Sequence, residues 1–245
     1  MSVSWTRVGA IFHKELRDYR RNRFVVVFTM SLLPLIFIVF PMIQLFTIPA
    51  SLASHKLDTR IGISLLYLLL IPAIVPSALS AYSVVGEREQ GTLEPVLITP
   101  IRREEFLVGK AFAALLPTLV VACTIFGIFL AMAALFAHPG VEAAVFKASH
   151  LLVQLLFTPL LAGWSIWVGI AISARSSDVR AAQQLSVFAS LPPLAIVALM
   201  SLNVITPSTG LALGLAAALL AADGLGWRAV AAMFNRERLI SGARR

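Results

Sequence analysis

Charged side chains are scarce in this sequence. Aspartate, glutamate, lysine and arginine make up 13% of the 245 residues, against roughly a quarter in an ordinary soluble domain, while 59% are apolar or aromatic. This composition excludes a disordered chain and most soluble folds. The charges also cluster, which leaves long uncharged runs at residues 24–55, 61–86, 111–141, 148–174 and 181–222. Such runs between clusters of charge are typical of a membrane protein.

Motifs for catalysis and metal binding are missing as well. The single cysteine, Cys123, excludes an intramolecular disulfide. No histidine or cysteine spacing matches a metal-ligand motif, and no serine lies in a nucleophile elbow. Gly109 and Lys110 do not belong to a Walker A motif, because alanine follows the lysine. We therefore expect this chain to have no catalytic residue and no metal site, and not to hydrolyse ATP itself.

The uncharged runs predict the number of membrane spans. An α-helix needs about 20 residues to cross a hydrocarbon layer of roughly 30 Å, so each of the first four runs fits one span. The fifth run holds 42 residues and would be about 63 Å long as one helix, so we divide it at the turn-forming residues 201–210. The sequence therefore predicts an all-α membrane protein with six transmembrane helices. Their approximate limits are 25–48, 62–85, 111–136, 149–173, 182–202 and 208–222.

The basic residues predict the orientation of these spans, because lysine and arginine near span ends accumulate on the cytoplasmic side. With six spans and both termini inside, 17 of the 20 basic residues are cytoplasmic, and only Lys56, Arg60 and Lys147 are outside. We therefore predict a multi-pass protein of the cell membrane with both termini in the cytoplasm. Topology and anionic lipid then explain the net charge of +8, without a nucleic-acid partner.

The N-terminal region, residues 1–23, has the pattern of a cytoplasmic amphipathic helix. Apolar residues recur at helical spacing, and Trp5, Phe12 and Leu16 are among them. We expect this face to lie in the headgroup boundary of the membrane, with the basic face against anionic lipid. The basic residues that would anchor the first span are Arg20, Arg21 and Arg23. An ordinary positive-inside anchor, with no dedicated interfacial helix, fits the same pattern equally well.

Two other regions complete the predicted organisation. Within the transmembrane domain, residues 24–222, the most charged segment is the cytoplasmic connection at residues 86–110; a basic cytoplasmic tail follows at residues 223–245. In the connection, residues 87–94 can form a short helix that Pro95 ends. Thr99 and Pro100 then read as the N-cap and first residue of a helix that continues into the third span. The alternative is a solvated connecting loop.

The connection also carries a family resemblance. The sequence EREQGTLE at residues 87–94, followed by LITP at residues 97–100, Glu105 and Gly109-Lys110, resembles the cytoplasmic loop of type-2 ABC exporter permeases. Weaker matches are KELRD at residues 14–18, AQQLS at residues 182–186 and FNRERL at residues 234–239. The resemblance implies a permease without an ATPase of its own. It also implies that six helices form half of a dimeric pore and that an elbow helix precedes the first span.

The resemblance further implies how such a chain is powered. The loop after the second span would dock on a separate ABC ATP-binding subunit, which would bind ATP and Mg, so this chain itself would need no cofactor. The coupling residues carried over are Glu87, Arg88, Glu89, Gly91, Thr92, Leu93 and Glu94. Among them, Glu87 and Glu89 would be the acidic contacts, since carboxylates can pair with arginine or lysine of a partner. The second half of the pore would be another copy of this chain or a homologous permease, and transport would be export.

Two alternatives remain open from the sequence: a secondary carrier or channel, and a noncatalytic membrane anchor or assembly protein. A proton- or sodium-coupled carrier usually has ionisable residues within its spans. The predicted spans have none at mid-depth, so we expect the driving energy to come from outside the chain. An anchor would have the same hydropathy but would not need the coupling segment.

Small residues recur at four-residue spacing in the sixth span, at Gly210, Gly214 and Ala218. Small residues in register let two helices approach closely. We expect this ridge to pack against another helix of the same chain, and a contact between two permease copies is the alternative.

Overall fold

Helices account for all the regular secondary structure in the part of the chain that the structure describes. The structure, a computed structural model, describes residues 4–23, 25–49, 54–89, 91, 101–202, 204–205 and 208–233. The helices in chain order are α1 (Trp5–Arg21), a π-helical segment (Val25–Leu32) that continues into α2 (Leu33–Thr47), α3 (Ser54–Glu89), α4 (Arg103–Phe136), α5 (Pro139–Val145), α6 (Ala148–Arg175), α7 (Val179–Ser201) and α8 (Thr209–Met233). The predicted all-α class is confirmed.

Six of these elements are long and apolar enough to cross a membrane. The π-helical segment and α2 together form the first, and α3, α4, α6, α7 and α8 form the others. Helices suit these apolar sequences because all their backbone hydrogen bonds are made within the segment, which lipid requires. The six predicted spans are therefore found. A short helix that the sequence did not predict, α5, lies between the third and fourth of them.

The ends of three helices differ from the predicted limits. α3 continues through Glu89, so Glu87 and Glu89 belong to its last turn and not to a separate short helix. α4 begins at Arg103 and not at Thr99, because the Glu105 carboxylate accepts the backbone N–H of Arg102 at 3.0 Å and caps the helix there. α8 runs to Met233, past the predicted end of the sixth span at residue 222. Of the rest of the predicted short helix, Gly91 is described and lies in a turn, and residues 90 and 92–94 lie outside the described part of the chain.

α3 is the central helix of the bundle and contacts α2, α4, α6 and α7. Its most extensive contact is with α6, where small residues let the two helices approach closely. A Cβ atom at Gly169 of α6 would lie 1.9 Å from Oγ of Ser80 on α3, so glycine is required there. Nearby, Ser173 Oγ accepts the N–H groups of Val84 and Val85 at 3.1 and 3.0 Å. These contacts join the second and fourth spans into one unit.

An ionisable residue lies beside the middle of α6, where the sequence predicted none. The carboxylate of Asp223, on α8, packs against Gly163 of α6; a Cβ atom at Gly163 would lie 2.6 Å from its Oδ2. The other carboxylate oxygen, Oδ1, is buried and has no hydrogen-bond partner within the described residues. The sequence predicts Asp223 to be the first residue of the cytoplasmic tail, because Asp223 ends the uncharged run. The helix continues past it because apolar residues resume, and Val230 among them is buried.

The small-residue ridge of the sixth span faces outward in the single chain. Gly210, Gly214 and Ala218 are exposed. A Cβ atom at Gly210 or Gly214 would meet nothing within 4 Å in the described part of the chain. The expected packing of this ridge against another helix of the same chain is therefore not found among the described residues.

Candidate functional site

Four chain segments meet at the end of the bundle where α3 ends and α4 begins, which we call the charged end. They are α1, the last turn of α3, the first turns of α4 and the connection between α6 and α7. α1 packs on α4 through Val8 and Ile11. A Cβ atom at Gly109 of α4 would lie 2.7 Å from Ile11 and 3.2 Å from the carbonyl oxygen of Val8. Glycine at this position therefore permits the close packing of α1.

Glu105 ties the beginning of α1 to the beginning of α4. Its Oε1 accepts the backbone N–H of Ser4 at 2.9 Å, and its Oε2 accepts that of Arg102 at 3.0 Å. The Arg7 guanidinium approaches Oε2 to 3.5 Å. The Glu105 side chain is only 1% exposed, so these bonds are largely shielded from water. One carboxylate thereby caps α4 and orients α1 across it.

A buried ion network lies further along α1 and consists of Lys14, Glu15, Glu87 and Lys110. The ammonium of Lys110 is 2.8 Å from Oε1 of Glu15, 3.2 Å from Oε1 of Glu87, and donates to the carbonyl oxygen of Ser83 at 2.8 Å. The Lys110 side chain is fully buried, and those of Glu15 and Glu87 are 5% and 8% exposed. The network therefore joins α1, α3 and α4 through charges that have left water.

Lys14 closes the network from its outer side. Its ammonium forms an ion pair with Glu87, approaches Glu15 at 3.2 Å and pairs with Asp18 at 3.3 Å. Burial opposes ionisation of Glu15, but attraction to Lys110 and Lys14 outweighs it, so the pKa of Glu15 is lowered. Burial likewise disfavours the ammonium of Lys14, but Glu15 and Glu87 raise its pKa above the ordinary value. The network holds both groups in their charged forms.

The last turn of α3 also binds the connection between α6 and α7. The Arg88 guanidinium donates to the carbonyl oxygens of Ser176 and Ala174 at 2.9 and 3.1 Å, which satisfies acceptors at the end of α6. Oε1 of Glu89 accepts the backbone N–H of Val179, the first residue of α7, at 3.2 Å. Arg88 and Glu89 thus hold the end of α6 and the beginning of α7 against α3.

The structure places the predicted coupling residues in different environments. Glu87 points into the ion network and is buried, whereas Glu89 is exposed at the surface of the charged end. Gly91 has φ 67°, a left-handed conformation that favours glycine, and is exposed. Thr92, Leu93 and Glu94 lie outside the described residues. The docking of this segment on an ATP-binding subunit stays a prediction.

The predicted interfacial face of α1 is divided in the structure. Trp5 is 70% exposed, and Phe12 and Leu16 are half-buried and pack against the core. The basic residues predicted to anchor the first span, Arg20, Arg21 and Arg23, are exposed. The buried face of α1 consists of Val8, Ile11, Glu15 and Tyr19. Part of the apolar stripe therefore packs on the bundle, and Trp5 remains available to lipid.

Sequence reasoning did not assign a role to Lys14, Glu15 or Lys110. A signal for Glu15 was present: it lies four residues from both Ile11 and Tyr19, on the apolar face of α1. A carboxylate on an apolar face requires a buried cationic partner. Lys110, next to the start of an uncharged run, is one candidate for that partner. Whether Lys110 or another lysine pairs with Glu15 depends on how α1 packs on α4, and the helical spacing of apolar residues does not show that packing.

The charged end has the properties of a mechanical junction. Its buried charges are paired with one another, and in the described part of the chain no three His, Cys, Asp or Glu residues are arranged to hold a metal ion. The arrangement fixes the last turn of α3 to α1, to the first turns of α4 and to the α6–α7 connection.

One comparison with known proteins bears on this junction. Residues 9–235 match the family described as ABC-2 family transporter protein. The match covers the whole bundle, from α1 through α8. No curated protein is similar enough in sequence to match the chain.

Proposed function

Because the chain belongs to the ABC-2 family of transporter proteins, we propose that it is the permease subunit of an ATP-driven exporter, powered by a separate ATP-binding subunit. Membership of the family and six apolar helices make it a multi-pass membrane permease. The power source, the direction and the partner are the proposed parts. In this proposal ATP and Mg are bound by the partner, and this chain holds no cofactor.

The observation that carries the proposal is the set of bonds around the last turn of α3. Glu87 binds Lys14 of α1 and Lys110 of α4, while Arg88 and Glu89 bind the α6–α7 connection. The segment that resembles a coupling loop, residues 87–94, begins within this turn. A force applied to that segment by a partner would therefore reach α1 and four of the six spans through short polar contacts. The central position of α3 supports the same route.

The orientation and assembly follow from the same proposal. An intracellular ATPase can reach the charged end only if that end is cytoplasmic, which agrees with the distribution of basic residues. Both termini are then cytoplasmic and the protein lies in the cell membrane. Half of a translocation pathway comes from this chain, and the other half comes from a second copy or a homologous permease.

The experiment that tests the proposal changes Glu89 and leaves Glu87 in place. Glu89 is exposed and its bond to the backbone N–H of Val179 lies at the surface, so Glu89→Lys should leave the chain folded while repelling a basic site on the ATPase. We expect Glu89→Lys to weaken copurification with the ATP-binding subunit, or to uncouple ATP hydrolysis from transport in the reconstituted complex. The matched control is Glu142→Lys, which changes a carboxylate near the opposite end of the bundle. Normal coupling in Glu89→Lys would refute the proposed contact at this residue.

Glu87 cannot serve as the same test. Its carboxylate is buried against two ammonium groups, so its removal would leave Lys14 and Lys110 to share one buried carboxylate, that of Glu15. We expect Glu87→Ala to lower the stability of the permease before any effect on coupling is measured. Its melting in detergent should be compared with that of Glu89→Ala, which we expect to be close to wild type.

Asp223 favours the alternative of a secondary carrier. Ionisable residues within spans commonly serve proton or ion coupling, and this carboxylate lies beside the middle of α6. The two readings differ in what drives transport by the wild type and in what Asp223→Asn changes. In an ATP-driven exporter, transport requires ATP, survives collapse of the proton gradient and is retained in Asp223→Asn. Wild-type transport that stops with the gradient, persists without ATP and is lost in Asp223→Asn would support the carrier.

A further inference from the structure

A cavity of about 340 Å³ lies between α1 and α3, next to the ion network. Its volume is within the range of roughly 300–1,000 Å³ that is usual for small-ligand sites. On the side of the ion network, the wall of the cavity consists of three network residues and Ser83; the three are Lys14, Glu15 and Glu87. The remaining lining residues are Asp18, Tyr19, Arg21, Asn22 and Tyr82.

Tyr19 is the residue of this wall that points to a ligand. It is 3% exposed, and its hydroxyl has no hydrogen-bond partner within the described part of the chain. A buried hydroxyl without a partner costs free energy, so such a group usually has one. Burial, together with the carboxylates of Glu15, Glu87 and Asp18, raises the pKa of Tyr19 well above its ordinary value. The phenol therefore stays protonated, as a buried donor that has no acceptor within the described part of the chain.

The charges around the cavity disfavour a simple ion as its ligand. Lys14 and Arg21 line it together with three carboxylates, those of Glu15, Asp18 and Glu87. Lys110 contacts two of these carboxylates from behind the wall. Three cations thus balance three acids, so neither a bare anion nor a bare cation gains much from the site. A ligand with one charge of each sign meets both donors and acceptors.

The position of the cavity identifies the source of such a ligand. The cavity adjoins the last turn of α1, and the chain enters the first span four residues after Arg21, at Val25. The partial negative charge at the end of α1 and the half-exposed carboxylate of Asp18 favour an ammonium group. The Tyr19 hydroxyl and the Arg21 guanidinium suit a phosphate. Both groups occur together in the headgroup layer that α1 is proposed to occupy.

We propose that this cavity binds the phosphoethanolamine headgroup of a membrane phospholipid, which holds α1 against α3. A headgroup with a primary ammonium can donate hydrogen bonds to Asp18, whereas a quaternary choline cannot. A headgroup with phosphate but no ammonium gives Asp18 no cation beyond Lys14. The bound lipid would act as a resident ligand at the junction, separate from any exported cargo. The proposal uses the membrane orientation given above but requires neither ATP nor transport.

The test measures lipid binding by the full chain purified in mild detergent. Native mass spectrometry and melting are recorded with phosphatidylethanolamine, phosphatidylglycerol and phosphatidylcholine of the same acyl chains. We expect one phosphatidylethanolamine to be retained per chain and to raise the melting temperature more than the other two lipids do. Tyr19→Phe should weaken this binding by about tenfold, since it removes a donor to a charged group. The matched control is Tyr67→Phe, remote from the cavity on α3.

A second variant tests the ammonium side of the site. Asp18→Asn changes a side chain that is 47% exposed, so the fold should be preserved. We expect it to abolish the preference for phosphatidylethanolamine over phosphatidylglycerol. Equal binding of the three lipids by the wild type would overturn the proposal, as would unchanged binding in Tyr19→Phe.

Soluble compounds distinguish a lipid headgroup from a free anion. Glycerophosphoethanolamine should compete with the lipid only at much higher concentration, because it lacks the acyl chains. An equal increase in melting temperature with inorganic phosphate alone would make this an anion site and refute the headgroup proposal. Because all these measurements are made without the ATPase, a failed coupling experiment and a failed lipid experiment remain distinguishable.

Discussion

The ammonium of Lys110, fully buried in α4, lies 2.8 Å from the Glu15 carboxylate on α1, although 95 positions separate the two residues in the chain. The N-terminal amphipathic helix is therefore held to the transmembrane bundle by a buried ion pair as well as by apolar packing. Because Glu87 shares the same ammonium, the pair also fixes the end of α3.

Removing one partner of the ion network should destabilise the fold. Lys110→Met removes the fully buried cation that Glu15 and Glu87 share and leaves only the half-exposed Lys14 to pair with them, at a cost of about 3 kcal/mol. We expect a clear drop in melting temperature in detergent and a lower yield of folded protein. Lys56→Met, at an exposed lysine near the opposite end of the bundle, is the control and should melt as the wild type does. Equal melting of the two variants would show that the network is not stabilising.

Acid should weaken the network through Glu15. Its pKa in the folded chain is lowered from the ordinary value of 4.5, so its contribution to stability is complete above that pH. The contribution is lost as the pH falls through the lowered pKa. We expect the melting temperature of the wild type to fall more steeply below about pH 4.5 than that of Glu15→Gln. Parallel curves in this acid range would contradict the prediction.

Two glycines should respond to substitution in opposite ways. Gly169→Ala places a Cβ atom 1.9 Å from Ser80 Oγ, so the central contact between α3 and α6 must open, at about 1–3 kcal/mol. Gly214→Leu adds a side chain on an exposed surface of α8, and we expect unchanged melting of the single chain. Loss of dimer in Gly214→Leu, measured by cross-linking in the membrane, would assign the ridge to a contact between two copies. Reduced melting would instead indicate packing within the chain.

The orientation of the bundle can be tested by labelling. On a background in which Cys123 is replaced by alanine, single cysteines at residues 54 and 208 should react with an impermeant thiol reagent added outside the cell. A cysteine at Ser177, between α6 and α7, should react only after the membrane is opened. Labelling at residue 177 in intact cells would reverse the proposed topology.

The helical content and the number of spans could be predicted from the sequence because both depend on local properties. A run of apolar residues longer than the hydrocarbon layer must form a helix wherever it lies in the membrane. The amphipathic pattern of α1 is local in the same sense. Helix ends were harder to predict: Glu105 sets the start of α4 by capping it, and α8 continues past Asp223 because the residues after it still pack on the bundle.

The roles of the charged residues could not be predicted in the same way. In the sequence, Glu87 and Glu89 are equivalent members of one acidic segment. In the structure they lie two residues apart on a helix, which places them about 200° around its axis. Glu87 is buried in the ion network, whereas Glu89 is exposed and contacts the beginning of α7 at the surface.

A helical membrane protein with six spans can be recognised from its residues in order, because span length and hydropathy are properties of each segment alone. The family resemblance likewise rests on local motifs. The pairing of Lys110 with Glu15 and Glu87, and the position of Asp223 beside Gly163, become visible only in the folded chain. Each of these contacts joins segments far apart in the chain, and its partners are selected by the packing of whole helices, which no local pattern encodes.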